Sequence, residues 1–284
     1  MSFVENQGAK IYWDEQGPEQ GPAQSPEERL ARTDAPPLLL IMGLGYASAL
    51  WHRTRPVLAQ HFRTIAFDNR GVGSSSVPPG PYSIATMASD AAAVLDAAGI
   101  TRAHVFGVSM GGMIAQEFAL QYPTRTRSLI LGCTSSGGPS AVRAESRVID
   151  ILFARGMTLA QAREAIIPYI YDASTPRERI AEDTVLRQSC LPTPEGYMAQ
   201  LLGILAWEAY SRIAQITAPT LVLHGKSDAL VPPGNGQLIA GRIPGAKFVL
   251  LDRASHLFLT DQPEASQKAI LEFLSTDSSR GAPD

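Results

Sequence analysis

Apolar residues fall along this chain in short unbroken runs separated by stretches of helical periodicity. The runs occupy residues 38–42, 63–67, 104–108, 128–132, 220–224 and 247–251, and each is followed within a few positions by Gly, Asp, Asn or Ser. A strand with one wet face alternates apolar with polar; an unbroken run is apolar on both faces, as in a parallel sheet covered on each side by helices. The pattern predicts an α/β fold, a mostly parallel central sheet with helices on both faces. Ahead of it, residues 3–6 and 10–14 around Gln7-Gly8 predict an antiparallel hairpin on the sheet edge. Residues 17–37, rich in Pro, Gln and Glu, read as a flexible surface loop, and residues 275–284 as a frayed tail.

One interval breaks the alternation. Between the runs ending at 132 and beginning at 220 no parallel-strand pattern occurs, and helical periodicity appears over 145–154, 158–167, 177–188 and 195–206. Residues 137–215 are therefore expected to form a helical cap inserted into a core made of 1–136 and 216–284. Ligands of open α/β sheets bind beyond the carboxyl ends of the strands, so a cap on that edge would roof the site. Leu201, Leu202, Ile204, Leu205 and Trp207 are candidates to line the pocket beneath it, with packing inside the cap as the alternative for each.

The run 104–108 carries the most specific chemistry. It enters Gly107-Val108-Ser109-Met110-Gly111-Gly112-Met113 and is followed at once by the helix-like stretch Ile114-Ala115-Gln116-Glu117-Phe118-Ala119. Strand, sharp turn and helix around Gly-x-Ser-x-Gly put a serine hydroxyl in open space above the sheet edge; the glycines are needed because side chains there would collide with strand or helix. Ser109 is the expected nucleophile. A neutral hydroxyl needs a base to take its proton, and histidine has a suitable pKa. Of the five histidines, His104 and His224 lie inside predicted core strands, and His52 and His61 flank the helix after the first parallel strand. His256 follows the last strand in a short loop, on the same edge of the sheet as Ser109, and is the expected base. The base needs an acid to hold its tautomer. Asp228 stands just beyond the preceding strand, in Gly225-Lys226-Ser227-Asp228, whereas no acid occurs from Cys133 to Val142. Asp252, closer to His256 in sequence, reads as a loop residue capping its strand.

Composition removes other classes of function. With 24 Lys+Arg against 27 Asp+Glu, the net charge of −3 gives no field for nucleic acid or an anionic membrane. No apolar stretch approaches a membrane span, and the N-terminus has neither a basic n-region nor an apolar h-region, so a cytoplasmic location is expected. The two cysteines, Cys133 and Cys190, lack CxxC spacing and read as free thiols, with no disulfide and no metal site. Gly43-Leu44-Gly45 and Gly71-Val72-Gly73 lack the third glycine of a dinucleotide fingerprint, no Walker-type loop occurs, and no cofactor is implied.

Gly107-Val108-Ser109-Met110-Gly111-Gly112, Asp68-Asn69-Arg70-Gly71-Val72-Gly73-Ser74-Ser75 and Gly225-Lys226-Ser227-Asp228 together resemble the α/β-hydrolase superfamily, nearest to its capped esterase, enol-lactonase and carbon–carbon hydrolase group. The resemblance covers nearly the whole chain outside the cap, and the order Ser109, Asp228, His256 agrees with it. It implies that the 68–74 turn is structural, with Arg70 bonding internally. It also implies two backbone donors for the oxyanion, the N–H groups of Met110 and Leu44. The family carries a His-Gly pair at the end of the first parallel strand, and this chain has Met42-Gly43, so the support of the Leu44 donor must differ. Gly43 and Tyr46 on that loop, Trp51 at the next helix start, and Leu205 and Trp207 in the cap are expected along the substrate pocket, with ordinary packing as the alternative for Tyr46 and Trp51.

The resulting expectation is a cofactor-independent serine hydrolase acting on a small-molecule ester or lactone through an acyl-enzyme. The same three residues would serve carbon–carbon bond hydrolysis or perhydrolysis, and a hydrolase-fold ligand receptor is the alternative of another class. Serine at the nucleophile position disfavours the epoxide hydrolase and haloalkane dehalogenase relatives, which use aspartate.

Overall fold

The computed structural model describes residues 2–18 and 35–278. Its eight strands form one sheet in the order β1-β2-β4-β3-β5-β6-β7-β8. The strands are β1 (Ser2–Asn6), β2 (Ala9–Gln16), β3 (Pro37–Ile41), β4 (Arg63–Phe67), β5 (Ala103–Val108), β6 (Thr126–Gly132), β7 (Thr220–Gly225) and β8 (Lys247–Leu251). β1 and β2 pair antiparallel with each other, and β2 with β4; every other pairing is parallel. The hairpin closes through a two-residue turn with both φ positive, 44° at Gln7 and 74° at Gly8, the twist-matched geometry for such a loop.

The apolar runs divide by the two-residue period of a strand. Leu39, Ile41, Ile65, Phe67, Val105, Leu129, Leu131 and Val222 face one side, packed by α2 (Ile84–Ala97), α3 (Met110–Gln121) and α9 (Gly234–Arg242). Leu38, Leu40, Ala66, Phe106, Ile130, Leu221 and Leu223 face the other, against the short helix α1 (Arg55–Leu58) and α11 (Pro263–Ser278). Two dry faces explain why these strands read as continuous apolar runs.

Five helices lie between β6 and β7: α4 (Ser146–Leu152), α5 (Leu159–Ala165), α6 (Ile167–Ile170), α7 (Arg177–Ser189) and α8 (Pro194–Ala206). The expected helix over 158–167 divides because Pro168, which lacks an N–H, opens the single turn of α6. Two further expectations need correction or lie out of view. The expected frayed end from 275 is in part helix, since α11 continues to Ser278 behind the buried Ile270, Phe273 and Leu274. Of the loop over 17–37, residues 19–34 lie outside the described residues, as do 279–284, while Pro37 opens β3. No described helix is long and apolar enough to cross a membrane.

Candidate active site

Ser109 sits between β5 and α3 with φ 55° and ψ −122°, a region that costs a non-glycine residue on the order of 1–3 kcal/mol. The surroundings over-determine it. Ser109 N–H donates to Gly132 O at 2.8 Å, and Thr134 Oγ1 donates to Ser109 O at 2.7 Å. A Cβ on Gly107 would stand 2.0 Å from Gly111 O, and one on Gly111 would stand 2.1 Å from Ile41 O. Strand, turn and helix can approach this closely only because both positions are glycine.

Asp228 and His256 are brought together from loops 28 residues apart. His256 Nδ1 lies 2.8 Å from Asp228 Oδ2, and Asp228 Oδ1 accepts the N–H groups of Leu230 at 3.0 Å and Val231 at 2.8 Å. Burial alone would raise the Asp228 carboxyl; the His256 and His224 rings beside it outweigh burial and hold it at about 2. It is therefore an anion at neutral pH, which fixes Nδ1 of His256 as the protonated nitrogen. Asp252 is exposed and pairs with Lys226 at 2.8 Å instead of capping its strand.

The His224 ring does more than fill a core strand. Its Nε2 donates to Val231 O at 2.7 Å and stands 3.4 Å from Asp228 Oδ2, bracing the loop that presents the carboxylate. Cys133, His224 and Asp228 place potential ligand atoms within 4.8 Å of one another, the one such cluster among the described residues. Burial pushes the Cys133 thiol well above its usual range, and His224 Nε2 is engaged, so this set is ill-suited to a cation. His104 is a core histidine, 2.6 Å from Ser128 Oγ, held neutral by burial with its pKa at about 3. Arg70 is internal too, gripping Asp90 with two nitrogens at 2.7 and 2.6 Å.

Ser109 and His256 open onto one cavity of about 840 Å³. Gly43, Leu44, Tyr46, Met110 and Leu205 also line it, as do Leu201 and Ile204, whereas Leu202 points to solvent. A Cβ on Gly43 would lie 3.1 Å from Ser109 Cβ, so the loop 42–46 passes directly beside the serine. The Met110 N–H is in the first turn of α3, where no carbonyl one turn back can receive it. Trp51 and Trp207, expected along the pocket, lie outside it. Trp51 is fully buried against Phe106, with ring centroids 4.9 Å apart. Trp207 turns inward because its Nε1 donates to Glu117 Oε2 at 2.8 Å.

The loop beside Ser109 is held without the histidine that Met42 replaces. Asn69 Nδ2 donates to Met42 O at 3.0 Å, and Asp68 accepts the Ser48 N–H at 2.7 Å. Gln200, fully buried in α8, accepts the Gly45 N–H at 2.9 Å and donates to Arg70 O at 2.8 Å. Gln200 was the missed residue with a sequence signal, a lone amide in the apolar stretch 197–205. Arg187 had none, being one of several charges on α7. It lies half-buried on the cavity wall, its Nη1 3.1 Å from the Tyr46 hydroxyl, and no carboxylate among the described residues is within ion-pair distance. The nearby Asp183 is occupied by Thr260 at 2.6 Å and Tyr171 at 3.0 Å.

Three comparisons bear on this geometry. Residues 36–162 match a family model described as alpha/beta hydrolase fold. A RutD protein of Azorhizobium caulinodans, named as a candidate carbamate hydrolase, is 33% identical over 244 residues, 84% of this chain and 90% of that one. A poly(3-hydroxyalkanoate) depolymerase of Ectopseudomonas oleovorans is 33% identical over 245 residues, 86% of each chain. Among solved structures, the enol-lactonase from Burkholderia xenovorans LB400 superposes with a TM-score of 0.83 at 26% identity, covering 96% of this chain and 100% of that one.

Proposed function

The chain belongs to the α/β-hydrolase family, and from that membership we propose that it is a serine hydrolase cleaving a carboxylic ester or lactone through an acyl-enzyme. The observation that carries the reading is the shared cavity: a strained serine and an Asp228-oriented imidazole open onto the same space. Ser109 Oγ attacks the substrate carbonyl while His256 Nε2 takes the hydroxyl proton. Asp228 stabilises the imidazolium, and the N–H groups of Leu44 and Met110 receive the oxyanion; donors of this kind are worth about 10²- to 10³-fold each. His256 then gives its proton to the leaving oxygen, the acyl group remains on Ser109, and a water activated by the same imidazole releases the acid.

In this reading residues 137–215 are a helical cap over a core of 1–136 and 216–284, and the cap supplies most of the pocket wall. The lining from Leu152, Ile170, Leu201 and Leu205 supports an apolar acyl group or leaving group. Arg187 adds a guanidinium without a carboxylate partner to that wall, which favours a substrate with an anionic or strongly polar distal end. Ser109→Ala is expected to lower kcat by about 10⁴- to 10⁶-fold with the melting temperature preserved. A folded variant that keeps most of its turnover would contradict the assignment.

A further inference from the structure

The carboxylate of Asp261, buried at the end of α10 (Phe258–Asp261), has no task in the reaction just described. Three donors converge on it. Ser255, the residue before His256, gives its backbone N–H to Oδ2 at 2.7 Å. The backbone N–H of Asp172 reaches the same oxygen at 3.2 Å, and Thr175 Oγ1 donates to Oδ1 at 2.6 Å. Asp172 and Thr175 form the turn between α6 and α7, in the segment between β6 and β7, whereas Ser255 belongs to the loop that carries His256.

Other bonds run along the same seam. The Leu257 N–H, on the other side of His256, donates to Ile170 O at 2.8 Å. Ser255 Oγ donates to Tyr169 O at 3.2 Å, and Ser227, the neighbour of Asp228, bonds through its hydroxyl to the Asp172 carboxylate. His256 is thus flanked by two residues whose N–H groups are held from outside their own loop. A misplacement of about 1 Å in a reacting group can cost on the order of 10²-fold, so anchors of this kind bear on rate as well as on stability.

We infer that Asp261 is a positioning residue for His256, fixing the 255–257 loop where the imidazole meets Asp228 and the cavity, and that it does so jointly with the 172–175 turn. The inference rests on the reading of His256 as the base of a Ser109 hydrolase. The requirement is an oxygen at Oδ2 able to accept two N–H groups, and it does not require a negative charge. Asparagine meets it, with its amide turned to the Thr175 hydroxyl, which can accept as well as donate. Alanine removes all three bonds, whereas Thr175→Val removes only the hydroxyl's bond to Oδ1 and leaves the Asp172 and Ser255 N–H groups on Oδ2.

The test uses the full chain, p-nitrophenyl butyrate kinetics, and the second-order rate of phosphonylation by a fluorophosphonate, with the adduct mapped by peptide mass. For Asp261→Ala we expect kcat to fall about 10- to 100-fold with KM within about 3-fold, and phosphonylation to slow in parallel, because both need a placed imidazole. Asp261→Asn should stay within about 3-fold of the wild type, and Thr175→Val should fall between them. A folded Asp261→Ala protein with only a lowered melting temperature, and with kcat and phosphonylation rate unchanged, overturns the inference. Should alanine prevent folding, Thr175→Val decides: a lowered kcat at constant KM supports the inference and an unchanged kcat overturns it. Failure of the underlying reading looks different, since the wild type would then be phosphonylated at a residue other than Ser109 or not at all.

Discussion

Asp228 and Asp261 are buried carboxylates that both hydrogen-bond to the loop carrying His256, and their surroundings drive them in opposite directions. Asp228 is held at about 2, so the stability it contributes is complete above the ordinary carboxylate range and is lost as pH falls toward 2. Asp261 is raised from 3.8 to about 6, first by burial, against the bonds from Thr175, Ser255 and Asp172. Between those two values the folded protein holds a proton that the unfolded chain has released, so the contribution of Asp261 falls as pH rises through that window. Asp261→Asn cannot ionise and escapes this cost. Its melting temperature should therefore gain on the wild type between about pH 4 and about pH 6 and hold that gain above it, as followed by differential scanning fluorimetry. A constant gap across that range would mean that Asp261 does not titrate there. Neither behaviour could be read from the sequence, because both shifts depend on partners placed by the fold.

At the scale of elements, the inner strands were legible because two covered faces leave a largely apolar run, and β4 falls on the expected residues. β8 does so as well, although it is the edge strand and only Leu251 of it is buried. The serine turn was legible for a local reason: its glycines and its flanking strand and helix are contiguous. Asp228 and His256 could be found because strand order fixes which loops share an edge. Trp51 and Trp207 could not be placed, since an aromatic ring beside a pocket and one in the core carry the same local pattern, and distant Phe106 and Glu117 decide between them. Gln200 reaches Gly45 across 155 positions, a contact no periodicity encodes. The helix bearing Gln200 is itself seated by a glycine: a Cβ on Gly203 would stand 1.8 Å from Tyr82 O. Gly203→Ala should therefore destabilise the protein by about 1–3 kcal/mol in denaturant unfolding. Activity should fall further than stability accounts for, because α8 also carries the acceptor for the loop beside Ser109. Unfolding equal to the wild type would show that α8 can shift without cost.

At the scale of the whole molecule, a sheet edge presents the chemistry and the five helices between β6 and β7 supply much of the cavity wall. That wall was legible only as a helical interval, and the Arg187 guanidinium held on it by the Tyr46 hydroxyl was not. If Arg187 receives the distal end of the substrate, Arg187→Met should raise KM for an ester carrying a distal carboxylate by about 10-fold or more, and leave that for its neutral methyl homologue within about 2-fold. Equal changes for both esters would assign Arg187 to packing against Tyr46 and Tyr171 instead. In the proposed reaction this cavity turns substrate over through an acyl group on Ser109. The most direct test is a time course of p-nitrophenol release from p-nitrophenyl butyrate at about pH 8, with enough enzyme to resolve one equivalent and with peptide mass mapping of the quenched protein. A turning-over serine hydrolase should sustain release well beyond one equivalent, carry any trapped butyryl group on Ser109, and lose release to background in Ser109→Ala. One equivalent followed by a halt would contradict that reaction and point to a ligand receptor that retains the fold and the residues without the turnover.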